Sequence, residues 1–335
     1  MGRRGIAWAA VMLAALVGIA GCGGATEAET TTETRAPGMR EMDITVDGLA
    51  SPENLGVLMA QRREYTLQNE LDVFLHYPVS PLVPLQYVAR GEVDLAVAHE
   101  PQVVMAEERG LPVVAVASLV SEPTAAMIWL KRSKIGDVGD LKGKTIAIPG
   151  LAYEKALLEN VLEQAGLTLN DVKVERVGFE LVPALTSGRA DAIFGGSWNV
   201  EGVELEALGV RPEVTRVQDL GVPNYDELVL VTRRDRLSRD PQLIRDYIAV
   251  MLHGAESAIE DPKAAANLVA ARVGEPNRAA IAKETDATLP MLSTSGYLDP
   301  DQASELVDWM HEEALIEEKP ALSDFLTNDY LPAEP

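Results

Sequence analysis

The chain has 335 residues, 47% of them hydrophobic, so it can bury a sizeable core, and at about 150 residues per domain it allows two domains. It carries 29 Lys and Arg against 52 Asp and Glu, which gives a formal net charge of −23. A charge of this sign argues against nucleic acid and against an anionic membrane surface as partners, and it favours a well-dispersed soluble protein.

The N-terminal segment has the pattern of an export signal. Two arginines precede an apolar run over residues 6–20 that is short for a membrane span, and small residues lead to Cys22, the only cysteine in the chain. The pattern predicts a signal peptide over residues 1–21; the alternative is a plain secretory signal in which the cysteine has no role. Residues 22–41 are predicted to be a flexible linker, because they are polar and lack an apolar period.

From residue 42 onward, short apolar runs alternate with helical patterns. Strands are predicted at 42–49, 71–77, 94–99, 113–119 and 125–131, with helices at 52–63, 86–89 and 100–109. Ser51 and Pro52 have the pattern of a helix N-terminus, with serine as the cap and proline at the first helical position. Alternation of this kind predicts parallel strands joined by crossover helices.

A polar connector over residues 134–144 opens a second α/β set. Its strands are predicted at 145–149, 172–178, 190–194 and 228–232, with helices at 153–165 and 181–187; four further helices are predicted at 241–259, 262–272, 278–288 and 299–315. Strands near 127–130 and 228–231 are predicted to join two lobes as a hinge. Lobe 1 is thus predicted to comprise residues 42–128 plus 233–330, and lobe 2 residues 129–232.

The stretch over residues 194–232 concentrates groups that suit a flat polar ligand. A strand ending at Phe194 opens through two glycines into Trp198, Asn199 and Glu201. The carboxyl end of a strand is where open α/β sheets bind ligands. An aromatic plane, an amide and a carboxylate at this place predict a site that stacks on a ring and reads its donors and acceptors.

The other candidate site residues also follow strand ends. They are Ser51, Asn54, Tyr77, Ser80, His99, Glu100, Glu122 and Tyr225. Several have a structural alternative: Trp198 as a core residue, Glu201 as a first-turn carboxylate favoured by the helix dipole, and His99 as a hydrogen-bonded structural histidine. Residues 226–227 are predicted to form a solvated acidic face.

Motifs for catalysis and metal binding are incomplete in this sequence. The segment 139–145 has three residues between its glycines where a phosphate loop needs four. The run 195–199 lacks the final glycine of a nucleophile elbow, and His311 has no second histidine four residues on, as a zinc site on a helix requires. The chain is therefore predicted to be neither a hydrolase nor a metalloprotein, and no cofactor is predicted.

Two motifs resemble a known family of solute-binding proteins. They are the run Gly196-Ser-Trp-Asn-Val-Glu-Gly202 and the run Gly221-Val-Pro-Asn-Tyr225. Both resemble the periplasmic-type binding proteins of ABC importers that capture pyrimidine precursors of thiamine, and the order of elements extends the resemblance over roughly residues 42–325. The resemblance implies a two-lobed type II periplasmic binding protein fold with two hinge strands.

The resemblance also implies how the ligand is held and who the partners are. A flat nitrogen heterocycle would lie in the cleft, stacked on Trp198 and Tyr225. Glu201 would accept from its exocyclic amine, and Asn199, Asn54 and His99 would complete the hydrogen bonds. The protein would be a monomer and no enzyme, and its partners would be this small molecule and the ABC permease subunits with their ATPase, with no nucleic acid.

Residues 19–22 resemble a bacterial lipobox. This implies lipidation of Cys22 and an exported protein anchored by its N-terminal lipid to the outer face of the bacterial cytoplasmic membrane. Riboflavin-, sulfonate- and nitrate-binding proteins share the expected fold, so their ligands remain alternatives. A pyrimidine synthase of the same fold is a further alternative; it carries a cysteine-rich iron motif, which a chain with one cysteine lacks.

Overall fold

The computed structural model of the protein describes residues 38–274 and 278–332. The predicted signal peptide, Cys22 and nearly all of the linker at 22–41 lie outside the described residues, so these assignments stay predictions. Within the described part, two five-stranded sheets covered by helices form two lobes, which confirms the predicted α/β class and two-lobed architecture. None of the helices described combines the length and the apolar composition needed to cross a bilayer.

Ten strands and thirteen α-helices make up the described ranges. The strands are β1 (Arg40–Thr45), β2 (Leu71–His76), β3 (Leu95–Ala98), β4 (Val113–Val120), β5 (Ala125–Leu130), β6 (Thr145–Ile148), β7 (Lys173–Arg176), β8 (Ala192–Ser197), β9 (Pro212–Arg216) and β10 (Leu228–Arg233). The helices are α1 (Leu55–Ala60), α2 (Arg63–Gln68), α3 (Pro84–Arg90), α4 (Glu100–Glu108), α5 (Ala152–Gln164), α6 (Leu181–Ser187), α7 (Glu201–Ala207), α8 (Arg234–Arg239), α9 (Pro241–Glu260), α10 (Pro262–Val273), α11 (Arg278–Thr288), α12 (Pro300–Glu312) and α13 (Leu322–Phe325).

The two sheets repeat one topology. The first has the order β2-β1-β3-β10-β4 and the second the order β7-β6-β8-β5-β9. Within each, the first three strands are parallel, and the fourth is antiparallel to both of its neighbours. In each sheet this fourth strand is the first one formed after the chain has passed from one lobe to the other. β5 is the first strand of the second sheet in chain order, and β10 is the last strand of the first sheet.

The crossings therefore lie just before these two strands. The chain passes from lobe 1 to lobe 2 between β4 and β5, at residues 121–124, and returns between β9 and β10. The predicted boundaries at 128/129 and 232/233 fall inside strands and need correction, because β5 pairs along its length with lobe 2 and β10 with lobe 1. The strands predicted as the hinge are ordinary sheet members, and the segments that precede them form the hinge.

Helix starts in the C-terminal part follow one local rule. The helices α9, α10 and α12 each begin with proline after an aspartate, at Asp240, Asp261 and Asp299. Each aspartate side chain accepts a hydrogen bond from a first-turn N–H, and proline lacks the N–H that the first helical position would leave unpaired. These signals explain why the bounds of the helical region could be predicted closely.

One buried apolar cluster extends through both lobes on the hinge side. It includes Val103 and Val229 of lobe 1, Leu158 and Phe194 of lobe 2, and Leu306 of α12. We call this group the cross-lobe cluster. A second cluster lies within lobe 1 between its sheet and the helices α1 and α9, and a third lies between the sheet and α6 in lobe 2. Between the lobes lies a cavity.

Candidate functional site

A cavity of about 460 Å³ lies between the two lobes. Lobe 1 contributes residues 47–53, which follow β1, and His99 after β3; lobe 2 contributes Glu154, Phe179 and Glu201, together with their neighbours. These segments follow the carboxyl ends of parallel strands, where open α/β sheets place their ligand sites. The volume suits a small organic molecule, since such sites are typically about 300–1,000 Å³.

Apart from His99, the charged side chains in the wall of the cavity are acidic. Asp47 and Glu53 face it from lobe 1, and Glu154 and Glu201 from lobe 2, whereas the lining residues within the described ranges include no lysine or arginine. Burial raises the pKa of all four carboxyl groups above the ordinary range, to about 8 for Glu53 and Glu154 and to about 7 for Glu201. Some of these carboxyl groups therefore retain protons near neutral pH.

His99 provides the one positive group of the described wall, and a buried carboxylate already pairs with it. Its Nδ1 lies 2.8 Å from Oε1 of Glu227, which is buried behind the wall. Burial alone would lower the pKa of His99, but the hydrogen bond and the charge of Glu227 outweigh this and raise it to about 9. Burial likewise works against ionisation of Glu227, but its contact with His99 holds the pKa of this carboxyl below the usual value. The pair is thus imidazolium and carboxylate.

Glu227 also holds the first crossing segment. Its Oε2 accepts hydrogen bonds from the backbone N–H groups of Thr124, at 2.6 Å, and Ala125, at 3.3 Å. Ala125 is the first residue of β5 and Glu227 directly precedes β10, so one carboxylate joins both crossings to a residue of the cavity wall. The prediction of a solvated face at 226–227 is wrong, because both side chains are buried where the crossings meet.

Backbone donors that face the cleft are already occupied by carboxylates of the chain. Oε2 of Glu154 accepts from the N–H groups of Gly150, at 3.1 Å, and Leu151, at 2.9 Å, just before α5. Oε2 of Glu201 accepts from the N–H of Ser197, at 2.7 Å. Gly195 makes room for Glu154: its φ of +83° is unfavourable for other residues, and a Cβ there would lie 3.0 Å from Oε1 of Glu154.

The two lobes meet directly at Glu53. Its Oε1 accepts a hydrogen bond from Nδ2 of Asn199 at 3.2 Å, and its Oε2 lies 3.4 Å from Oγ of Ser197, with both partners in lobe 2. Nδ2 of Asn199 also donates to Oγ1 of Thr288, at the end of α11, at 2.8 Å. Asn199 is fully buried in this contact and lies outside the cavity lining. Glu53 therefore belongs both to the wall and to the contact between lobes.

The aromatic side chain in the wall is Phe179, in the loop after β7. Its ring reaches across the cleft to Gly48 of lobe 1, where an added Cβ would lie 3.0 Å from Cε1 of the ring. Trp198 is outside the lining. The guanidinium carbon of Arg216 lies 3.8 Å from the centroid of its ring, and the indole also packs against the buried clusters of both lobes. The indole thus fills the contact between lobes beside the cavity.

Three of the predicted site residues line the cavity: Ser51, His99 and Glu201. The others lie elsewhere, with Asn54 and Asn199 directly behind the wall. Asn54 donates from Nδ2 to Oδ1 of Asp47 at 2.7 Å and thereby orients a lining carboxylate. Besides Trp198, the remaining five occupy separate environments. Tyr77 accepts from Arg272, Ser80 accepts from the N–H of Leu82, Glu100 accepts from the N–H of Asp226, Glu122 is exposed, and Tyr225 is buried in the cross-lobe cluster.

Sequence reasoning missed most of the lining, including four residues that carry the chemistry of the wall: Asp47, Glu53, Glu154 and Phe179. Three of them follow β1, β6 and β7 within a few residues, so the rule that ligand sites lie at strand ends could have found them. Within the described ranges, no group of three or more His, Cys, Asp or Glu side chains is arranged to hold a metal ion.

Comparison with known families and sequences gives consistent matches. A family model described as "NMT1/THI5 like" matches residues 51–265. The formylaminopyrimidine-binding protein of Halalkalibacterium halodurans is 27% identical over 321 residues, which cover 93% of this chain and 96% of that protein. A putative thiamine biosynthesis protein of Haemophilus influenzae is 29% identical over 296 residues, covering 85% and 91%. A 4-amino-5-hydroxymethyl-2-methylpyrimidine phosphate synthase of Schizosaccharomyces pombe is 26% identical over 223 residues, covering 64% of each chain.

Solved structures show the same fold. The alkanesulfonate-binding protein SsuA of Xanthomonas axonopodis pv. citri, bound to MOPS, superposes with a TM-score of 0.69 at 16% identity, covering 86% of this chain and 98% of that one. The aliphatic sulphonate-binding protein SsuA of Escherichia coli gives 0.65 at 18% identity, covering 85% and 91%. These likenesses confirm the periplasmic binding protein fold that the two sheets display.

Proposed function

Since the chain belongs to the NMT1/THI5-like family, we propose that it is an exported solute-binding protein that delivers a planar aminopyrimidine, a precursor of the thiamine pyrimidine, to an ABC importer. The Halalkalibacterium relative, named for binding formylaminopyrimidine, matches over nearly its whole length and supports this ligand class. The same match supports a binding protein and not an enzyme.

The observation that carries the proposal is the acidic cavity between the lobes. A ring with exocyclic amine donors finds carboxyl acceptors on both sides, at Asp47 from lobe 1 and Glu201 from lobe 2. Phe179 offers a flat face for the ring, and the side chain of His99 can donate to a ring nitrogen or a carbonyl. A ligand that touches both lobes stabilises the closed form differentially, and a permease can read that form.

Among the residues proposed from the sequence, Ser51, His99 and Glu201 keep a role as direct contacts. We assign Asn54 and Asn199 indirect roles, because the first orients Asp47 and the second joins the lobes. In this proposal the ligand ring stacks on Phe179 and not on Trp198, since the indole lies beside the cavity. Export and lipid attachment at Cys22 belong to the proposal as well; a Cys22→Ser variant should leave the membrane fraction when expressed in a bacterial host.

Calorimetry with purified protein tests the proposal. Synthetic formylaminopyrimidine should bind with a dissociation constant of about 1 μM or tighter, while riboflavin, nitrate and MOPS should give no heat. Glu201→Gln should weaken binding, whereas Glu159→Gln, an equal charge change on the exposed side of α5, should leave it unaltered. Binding of riboflavin without binding of the pyrimidine would overturn the assignment.

A synthase remains the second candidate because relatives of that name match the family region. Mass spectrometry of the ligand recovered after incubation separates the two functions. A binding protein should return the pyrimidine chemically unaltered.

A further inference from the structure

The charges in the cleft affect whether it binds an unphosphorylated pyrimidine or its phosphate ester. A phosphate ester brings about two negative charges at neutral pH, and proteins meet such groups with arginine, lysine or free backbone N–H groups at helix starts. These groups are of two kinds, side-chain cations and backbone donors.

Side-chain cations are the first source. The charged residues that line the cavity are acidic except for His99. The charge of His99 is already balanced by Glu227, 2.8 Å away, and Asp47 and Glu154 lie near enough to bias its ionisation. The imidazolium is therefore surrounded by carboxyl groups and adds little attraction for a further anion.

Backbone donors are the second source. The loop before α5 would present the N–H groups of Gly150 and Leu151, which is where an anion is held at a helix start. The carboxylate of Glu154 occupies both, and Gly195, lacking a side chain, lets that carboxylate approach. On the facing loop, Glu201 occupies the N–H of Ser197 in the same way. The carboxyl groups of Glu154 and Glu201 therefore occupy the backbone donors to which an anionic ligand group would bind.

We propose that this cleft selects the unphosphorylated aminopyrimidine and rejects its phosphate ester, and that Glu154 is a specificity-determining residue that blocks the anion subsite before α5. The inference rests on the proposed function, which it refines. It also separates this chain from proteins of the same fold that bind sulfonates, because a sulfonate needs the same free donors.

The test compares 4-amino-5-hydroxymethyl-2-methylpyrimidine with the phosphate ester of its hydroxymethyl group by calorimetry on the full mature protein. Inorganic phosphate and the sulfonate MOPS serve as anion probes that lack a pyrimidine. The alcohol should bind at least 100-fold more tightly than the ester, and neither anion should bind. In Glu154→Ala the freed N–H groups should bind the phosphate, so the ratio of the affinity for the alcohol to the affinity for the ester should fall at least tenfold. Glu159→Ala, also on α5 but exposed, should leave the ratio unaltered.

The outcomes separate the two proposals. Binding of the ester within tenfold of the alcohol, or binding of either anion to the unaltered protein, would overturn anion exclusion and leave the pyrimidine assignment standing. If neither pyrimidine binds, the proposed function fails, and the anion probes still decide the exclusion. If Glu154→Ala lowers stability, Glu154→Gln provides a second variant: its amide oxygen can keep the backbone hydrogen bonds while its amide nitrogen adds a donor to the wall, so the ratio should again become smaller. An unaltered ratio in both variants would overturn the role of Glu154.

Discussion

Nδ2 of Asn199 lies 3.2 Å from Oε1 of Glu53, and this contact joins the two lobes across a distance of 146 residues in sequence. The same amide nitrogen donates to Oγ1 of Thr288, so a residue of lobe 2 is held by two elements of lobe 1. Since Glu53 also lines the cavity, ligand contact and lobe contact converge on one carboxyl group.

Asn199→Ala should favour the open form. The variant loses both donations and leaves a buried carboxyl oxygen without this partner, a cost of about 1–3 kcal/mol that applies to the closed form. We expect ligand affinity to fall about tenfold or more and the radius of gyration in small-angle scattering to increase in the absence of ligand. Asn170→Ala, an exposed change in lobe 2, should do neither, and an unaltered affinity in Asn199→Ala would refute the coupling.

Glu227→Gln should uncouple His99 from the hinge. The amide keeps an acceptor for the N–H of Thr124 but removes the charge that holds the imidazole protonated, so the pKa of His99 should fall from about 9. Loss of one partner of a buried ion pair costs about 3–5 kcal/mol of stability. Proton NMR titration of the histidine ring checks the pKa, and denaturant unfolding checks the stability. Glu256→Gln removes the partner of the exposed His253 and should alter stability by less than about 1 kcal/mol.

Gly195→Ala should damage both stability and ligand binding. Alanine at a φ of +83° is strained by about 1–2 kcal/mol, and its methyl group would press on the carboxylate of Glu154. Gly209→Ala is the matched control, because Gly209 has a φ of +73° with open space around the added methyl group. The control should therefore lose stability from strain alone and keep full affinity for the ligand. Equal affinities in the two variants would contradict the close-approach explanation.

Phe179→Ala should weaken binding more than Trp198→Ala does, because the first ring lines the cavity and the second lies beside it under Arg216. Loss of a stacking ring typically costs a few kcal/mol of affinity, about 10- to 100-fold. Trp198→Ala should instead lower the free energy of unfolding, since the indole packs against the clusters of both lobes. The reverse order of affinities would restore Trp198 as the stacking residue.

The unliganded protein should lose stability as pH rises from 5 to 9. Glu53, Glu154 and Glu201 have folded-state pKa values raised from 4.5 to about 8, 8 and 7, so the folded protein binds protons that the unfolded chain releases. The pKa of His99, raised from 6.5 to about 9, acts with the same sign. Each such group lowers the unfolding free energy by up to about 1.4 kcal/mol per pH unit between its unfolded and folded pKa values.

Urea unfolding at pH 5, 7 and 9 measures how the unfolding free energy changes with pH, and Glu201→Gln should make its fall with rising pH smaller. The depressed pKa of Glu227 has the opposite effect, because the stability it contributes is present above pH 4.5 and is lost as the pH falls through its folded-state value. A stability that rises steadily from pH 5 to 9 would rule out the protonated cleft.

Local sequence signals predicted most of the fold. The bounds of α6 (Leu181–Ser187) and α11 (Arg278–Thr288) agree with the prediction residue for residue, and the aspartate–proline starts located α9, α10 and α12 closely. The short helices α2, α8 and α13 were missed, and among the strands the missed one is β9 (Pro212–Arg216). It is an edge strand with only part of its surface buried, so no strong apolar alternation marks it. Edge strands depend on their neighbour for pairing, and the neighbour here is β5, some 85 residues earlier in the chain.

The site was less predictable, because its decisive relations are long-range. The rule that ligands bind at strand ends found Ser51, His99 and Glu201. The local sequence predicted two surface charges at Asp226 and Glu227. Contacts distant in sequence explain their burial, since Glu227 binds His99 and Thr124, and the side chain of Asp226 accepts from Ser118. Asn199 also has a partner that is distant in sequence. Its amide has the chemistry of a ligand contact, but its partner Glu53 could not be identified from neighbouring residues.

The cross-lobe cluster has a consequence for how ligand preference can be altered in this scaffold. Because Val103, Leu158, Phe194 and Leu306 share one apolar interior, grafting a foreign lobe 2 onto this lobe 1 would mismatch surfaces that must interlock. The wall residues, in contrast, belong to loops and to helices that border the cavity, where side chains can be replaced one at a time. Redesign toward another nutrient is therefore best attempted by point replacement in the cleft, with the hinge-side interior left intact.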